Sequence, residues 1–174
     1  MHIFGGLAIS EDKGKTFQRW SKAPILERNR VDPYINTAPW VVKNDDEFRI
    51  FYVSGFEWLN KDTPRYNIKT AKSKDGLTWD RQGTIAIDFK DPKENALARP
   101  YVIKDSNIWK MWFSYKGNSY RIGYAESTDG ENWTRLDNKA GITVSKSGFD
   151  SEMIEYPFVF NHEGINYMLY KKLN

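Results

Sequence analysis

The sequence predicts an all-β protein, a β-propeller of four-stranded antiparallel blades that is incomplete in this chain. Three observations lead there. Ten Tyr, ten Phe and seven Trp stand among 174 residues, a load that half-buried sheets take up more readily than helices. One segment recurs three times: x-Pro-aromatic-Val, a short polar turn, then a second apolar strand. A second segment also recurs three times, alternating with the first: a strand ending in Ser, an Asp/Gly turn, then an aromatic. Self-similarity of this period marks a repeat architecture. Two motifs in a fixed order fit the four short strands of a blade, whereas a β-sandwich has no reason to repeat both in the same order.

Taken along the chain, LAISEDKGKTF (7–17) is the first copy of the turn motif. APWVVKNDDEFRIFYVSG (38–55) is the first strand pair, and TAKSKDGLTW (70–79) brings the turn again. RPYVIKDSNIWKMWFSYKG (99–117), YAESTDGENW (124–133) and YPFVFNHEGINYMLYKK (156–172) continue the alternation. The anchoring prolines Pro39, Pro100 and Pro157 are 61 and 57 residues apart. Period-2 patterning sets Phe48, Ile50 and Tyr52 against Arg49, and Trp109, Met111 and Phe113 against Lys110. NDDE, KDSN and NHEG read as hairpin turns, and a proline suits the start of a strand where no ladder donor is needed. In the Ser/Asp/Gly turns, short side chains satisfy backbone donors and Gly permits positive φ, so a purely structural role is expected. The predicted division is a half blade (1–30), a blade (31–90), a blade (91–146) and a half blade (147–174). A chain that opens and closes in mid-blade is expected to be a fragment of about three blade equivalents, and open blade edges invite self-association.

Bulk properties exclude several classes. Net charge is +3 with both signs interspersed, which gives no nucleic-acid or anionic-membrane footprint. There is no Cys, and the two histidines, His2 and His162, are far apart, so neither thiolate chemistry nor a His-based metal site is expected. No Gly-rich phosphate loop or EF-hand pattern is present, and no cofactor is expected. MHIFGGLAIS lacks the basic and apolar regions of a secretion signal, which makes the expected location cytoplasmic.

The alternation of x-Pro-aromatic-Val strands with Tyr-Ala-x-Ser-x-Asp-Gly-x-x-Trp turns resembles the five-bladed β-propeller glycoside hydrolase clan of arabinanases, β-xylosidases, invertases and levansucrases. The likeness covers nearly the whole chain and is closest to glycosidase-like propellers of unassigned activity. It implies a central funnel lined by the first strand of each blade, with carboxylates reaching it from different blades. Glu155-Tyr156-Pro157 matches the clan's Glu-x-Pro, the general-acid position in its xylosidase and invertase branches. Ala98-Arg99-Pro100 stands where the clan has Arg-Asp-Pro and lacks the aspartate. The clan's first-blade aspartate has no match.

Glycoside hydrolysis needs one protonated and one ionised carboxyl flanking the bond. Glu155 is the expected acid, raised by burial against aromatics. Asp32 and Asp150, each seven residues before a strand proline, are equivalent positions on different blades; Asp32 is the expected base or nucleophile. Asp150 and Glu152 would orient sugar hydroxyls or tune Glu155. Arg99, the expected charge at the same approach on the middle blade, would hold a hydroxyl or carboxylate of the substrate, and Tyr66 or Trp58 would stack on a sugar face. The competing explanation is that these acids cap turns on a solvated rim. Trp40, Trp79, Trp109, Trp112 and Trp133 are expected to pack between blades. The expected function is hydrolysis of a poly- or oligosaccharide; the alternatives are a non-catalytic carbohydrate-binding propeller and a truncated propeller with an assembly role.

Overall fold

The computed structural model describes residues 2–172. Thirteen strands follow in order: β1 (Ile3–Phe4), β2 (Ala8–Ile9), β3 (Gln18–Arg19), β4 (Ile35–Asn44), β5 (Glu47–Asn60), β6 (Thr63–Ser73), β7 (Ile85–Ile87), β8 (Ala96–Asp105), β9 (Ile108–Lys116), β10 (Tyr120–Ser127), β11 (Thr134–Arg135), β12 (Glu155–His162) and β13 (Ile165–Lys171). The only helix among the described residues is the short 3-10 turn Asp137–Lys139. DPKENALA forms no helix: Glu94 N–H bonds back to Asp91 O, and β8 begins at Ala96.

The strands form antiparallel meanders. β4–β5–β6–β7 is one, β8–β9–β10–β11 a second, and β2–β3 and β12–β13 are two-stranded pairs. Two parallel contacts join successive units, Ile3 with Ile35 and Tyr66 with Ala96. That is why the large sheet is mixed. Asn44 pairs with Glu47, Asp105 with Ile108 and His162 with Ile165, so each polar connector closes a two-residue hairpin.

The Ser/Asp turns work as short polar side chains should. Ser10, Ser73 and Ser127 donate to Asp12, Asp75 and Asp129 at 2.7, 2.9 and 2.9 Å. Each aspartate then accepts backbone N–H groups two to four residues on. Those bonds favour the charged form, holding Asp12 and Asp75 at a pKa of about 2.

The two long meanders pack face to face over Phe51, Ile68, Val102, Met111 and Phe113. The aromatics alone fill much of this interface; Phe51 meets Trp133 edge-on at 5.5 Å. Trp40 spans it too, donating Nε1–H to Val102 O at 2.7 Å. The predicted packing tryptophans all sit in such layers, Trp79 beside Leu26 and Tyr52, Trp112 beside Tyr124 and Ile154. Strict alternation of buried and open positions fails along β5, where every residue from Arg49 to Gly55 is buried. Arg49 is not solvated but buried, its guanidinium bonded to Gly130 O at 3.0 Å and lying over Trp109. β5 is covered on both faces, so a polar side chain there must find its partner across the interface.

Candidate functional site

The first strands of the two meanders and of the C-terminal pair, β4, β8 and β12, share a defect. Ladder register shifts between Thr37 and Trp40, between Ala98 and Tyr101, and between Glu155 and Phe158. At each shift the residue before the proline is left-handed: Ala38 (φ 47°), Arg99 (φ 51°) and Tyr156 (φ 58°). Pre-proline residues are ordinarily extended, and non-glycine residues seldom have positive φ. A bulge of this kind re-aims side chains. The three bulges meet: Ala38, Arg99, Tyr156 and their three prolines line one pocket of about 180 Å³. The residues after the prolines close it as an aromatic cluster. Tyr101 lies 4.4 Å from Trp40 and 4.9 Å from Phe158, ring centre to ring centre. This is the hub at which residues remote in sequence converge.

Glu155 opens β12 at this hub. It is fully buried, and neither carboxyl oxygen has a hydrogen-bond partner. Burial pushes its pKa above the ordinary carboxyl value, against the pull of Lys171, Lys116 and Arg99; Tyr156 is close but outside hydrogen-bonding geometry. Tyrosines and cations surround it. Tyr66 and Tyr120 share a hydroxyl–hydroxyl bond of 2.9 Å, and Tyr120 faces the Tyr156 ring at 6.2 Å. All three phenols are pushed up chiefly by burial, with the Glu155 charge adding to it, so each remains a neutral O–H. Arg99 and Lys171 both lie over the Tyr156 ring, 5.1 and 5.6 Å from its centre. The Tyr156 N–H is fixed by Ser114 Oγ at 2.7 Å. The arrangement is a protonatable acid held dry beside neutral hydroxyls, with fixed positive charge at its margin.

Asp32 is elsewhere. Its buried carboxylate accepts from Tyr52 Oη at 2.9 Å, Ser54 Oγ at 2.7 Å and Lys69 Nζ at 2.9 Å, with Arg81 Nη1 at 3.5 Å. Tyr52 pairs with Lys69 and Ser54 with Asn67, whereas Val53 pairs with Ile68 and Gly55 with Tyr66. Side-chain parity therefore puts the Asp32 partners on one face of the β5–β6 sheet and Tyr66 on the other. The expected Glu155–Asp32 pair is not formed, because a sheet lies between the Asp32 network and the Glu155 surroundings.

Asp150 also turns away from the hub, accepting from Tyr170 Oη at 2.7 Å. That bond, with one from Ser145, holds its pKa below the ordinary value. Tyr52 and Tyr170 each lie thirteen residues after their strand proline, so the two aspartates are bound in the same way. The Glu152 side chain is exposed; only its carbonyl is used, accepting from Arg121 at 2.9 Å. Trp58, opposite Pro64 near the tip of the β5–β6 hairpin, does not line the pocket. Arg99 and Tyr66 do reach the hub region. In spacing from the proline, however, Arg99 corresponds to Ala38 and Tyr156, while Lys93 holds the Asp32 and Asp150 position. The sequence reading missed Tyr120, although it lies five residues before Ala125 just as Tyr66 lies five before Ala71.

No family model matches the chain. Over 166 residues it is 40% identical to an uncharacterized protein, Rv1502, of Mycobacterium tuberculosis strain H37Rv, covering 95% of this chain and 55% of that one. The chain thus spans about half the length of the curated relatives it matches. Its fold matches that of BT0996, solved as an RGII complex, with a TM-score of 0.74 and 20% identity over 96% of this chain and 52% of the other. A GH32 β-fructofuranosidase of Bombyx mori, BmSUC1, matches with a TM-score of 0.60 and 18% identity, over 76% of this chain and 28% of that enzyme. At such identities the likeness speaks for the fold, and the fold is all-β and of the propeller type found in glycoside hydrolases.

Proposed function

We propose that this chain forms part of a glycoside-processing propeller in which Glu155 is the proton donor to a glycosidic oxygen. In this reading, the two four-stranded meanders are consecutive blades and the two strand pairs are halves of others. The observation that carries it is Glu155 itself, a buried carboxyl without a hydrogen-bond partner at the meeting point of three innermost strands. Buried polar groups are normally satisfied, and an exception calls for an explanation. A raised pKa suits a general acid. Neutral Tyr66 and Tyr120 hydroxyls suit sugar hydroxyls, and Arg99 at the pocket rim suits an anionic or hydroxyl-rich substituent.

The reaction needs a second, ionised carboxylate about 5–10 Å from the first. Asp32 and Asp150, both committed to other partners, are poor candidates, so that group is assigned outside this chain. The test is hydrolysis of aryl glycosides whose leaving groups differ in acidity. Glu155→Gln should lose turnover of poor leaving groups by about 100-fold or more, as expected when general-acid catalysis is removed, and lose much less with activated ones. Equal losses across the series, or none, would reject Glu155 as the acid. The second reading, carbohydrate binding without cleavage, is favoured because, among the described residues, no carboxylate lines the pocket and Glu155 alone stands beside it. It predicts saturable glycan binding, weakened by Arg99→Ala, with no turnover of any substrate.

A further inference from the structure

The second meander departs from the first in its fourth strand, and the departure leaves a cleft. Tyr66 to Trp79 and Tyr120 to Trp133 run in step, so Asn67, Ile68 and Lys69 correspond to Arg121, Ile122 and Gly123. In the first meander the fourth strand, β7, lies along these positions, pairing Ile87 with Ile68 and Ile85 with Lys69. Asn67 is buried there, and its amide donates to Asp88 at 3.2 Å. In the second meander β11 pairs only with Ala125 and Glu126, and the chain then turns off through Asp137–Lys139. Ile122 and Gly123 therefore have no fourth-strand neighbour among the described residues. A cleft of about 470 Å³ opens beside Arg121 and Ile122, its other wall the connector that leads to β12.

The lining of this cleft interleaves donors with acceptors. Arg121 is held through one nitrogen, its Nη1 meeting Ser119 Oγ, Tyr120 O and Glu152 O at 2.8, 2.8 and 2.9 Å. Its Nη2 and Nε find no acceptor among the described residues. Asp137 accepts from Arg135 Nε at 2.9 Å and keeps further lone pairs. Asn138 and Thr143 are exposed, and Tyr115 completes the polar set. Burial and the Asp137 charge push the Tyr115 phenol up, so it remains a neutral O–H, and Arg135 lies over its ring at 4.8 Å. Ile122 and Ile154 give the cleft an apolar floor. A sugar hydroxyl both donates and accepts, so it suits Arg121 and Asp137 alike. A bare anion only accepts, and it would meet the Asp137 carboxylate. The volume lies within the range of about 300–1,000 Å³ usual for small-molecule sites. We propose that this cleft is a second carbohydrate subsite, taking one or two units of a neutral glycan whose reacting end lies at the hub. The proposal rests on the glycoside reading of Glu155. The two sites adjoin along the chain, since Arg121 follows Tyr120 and Ile154 precedes Glu155.

The test is calorimetric titration with neutral xylo-, arabino- and fructo-oligosaccharides of two to six units, in the parent chain and in Glu155→Gln, which prevents turnover. In at least one series, affinity should rise by at least about ten-fold from the shortest to the longest, the scale of one or two net hydrogen bonds. Thr143→Trp, a change at an exposed position, fills the cleft. It should abolish that rise while leaving disaccharide affinity and the thermal midpoint unchanged. Tyr115→Phe, which removes one hydroxyl, should weaken the longest glycan by about 2- to 10-fold. A rise that is absent, that survives Thr143→Trp, or that is lost to competing sulfate would overturn the cleft assignment and leave the hub reading standing. No binding of any glycan by either chain would overturn both.

Discussion

Substituting Asp32 by Asn separates a structural acid from a reacting one. The change keeps the side chain's shape and removes its charge. Tyr52 and Ser54 lose a charged acceptor, and Lys69, 6% exposed, is left beside a neutral group. Removing one member of a buried ion pair costs about 3–5 kcal/mol. For a chain of this size each kcal/mol moves the thermal midpoint by about 2–4 °C, so a fall of roughly 6–20 °C is expected by scanning calorimetry. Lys69→Met removes the other member and should cost a similar amount. If the pair acts as a unit, the double variant is less destabilised than the two singles summed, by about 0.5–3 kcal/mol. A midpoint within about 2 °C of the parent for Asp32→Asn, less than 1 kcal/mol on that scale, would refute the structural assignment. If turnover were lost as well, Asp32 would be a reacting group.

Glu155→Gln should raise the thermal midpoint near neutral pH, because the folded chain holds that carboxyl above its ordinary pKa. The sign follows from linkage: stability from the protonated form is complete below the unfolded pKa of about 4.3 and is lost as pH rises through the folded value. The advantage of Gln should therefore be largest near pH 8 and shrink toward pH 4, and a gain equal at both would count against a raised carboxyl. Gly123→Ala should destabilise by about 1–3 kcal/mol through overpacking. Its Cβ would fall 2.6 Å from the Phe113 ring and 2.8 Å from Asp137 Oδ1. Denaturant titration reads the effect, and a neutral result would mean that the ring has room to move.

Local chemistry made part of this molecule legible in its sequence. The two-residue hairpins and the Ser/Asp turns depend on residues within four positions of one another, so composition alone reveals them. The equivalence of Asp32 and Asp150 was legible too, because a fixed spacing from proline carries a fixed partner, Tyr52 or Tyr170. Sidedness was not legible. Whether Asp32 faces the hub or the opposite layer depends on the parity of β5 and β6, which register decides and spacing does not. Nor was the left-handed turn before each strand proline, since a proline argues for an extended predecessor. Arg49 misled for a related reason: alternation assigns faces, but cannot tell a solvated face from one covered by the next meander.

The left-handed backbone at Ala38, Arg99 and Tyr156 has an evolutionary consequence. A methyl group, a guanidinium and a phenol sit on the same contorted peptide frame, so the contortion does not depend on which side chain it carries. Under the proposed function, selection can then exchange the groups offered to a glycan without redesigning the scaffold that offers them. Ligand preference within such a lineage should drift fastest at these three positions, while the adjoining prolines stay fixed.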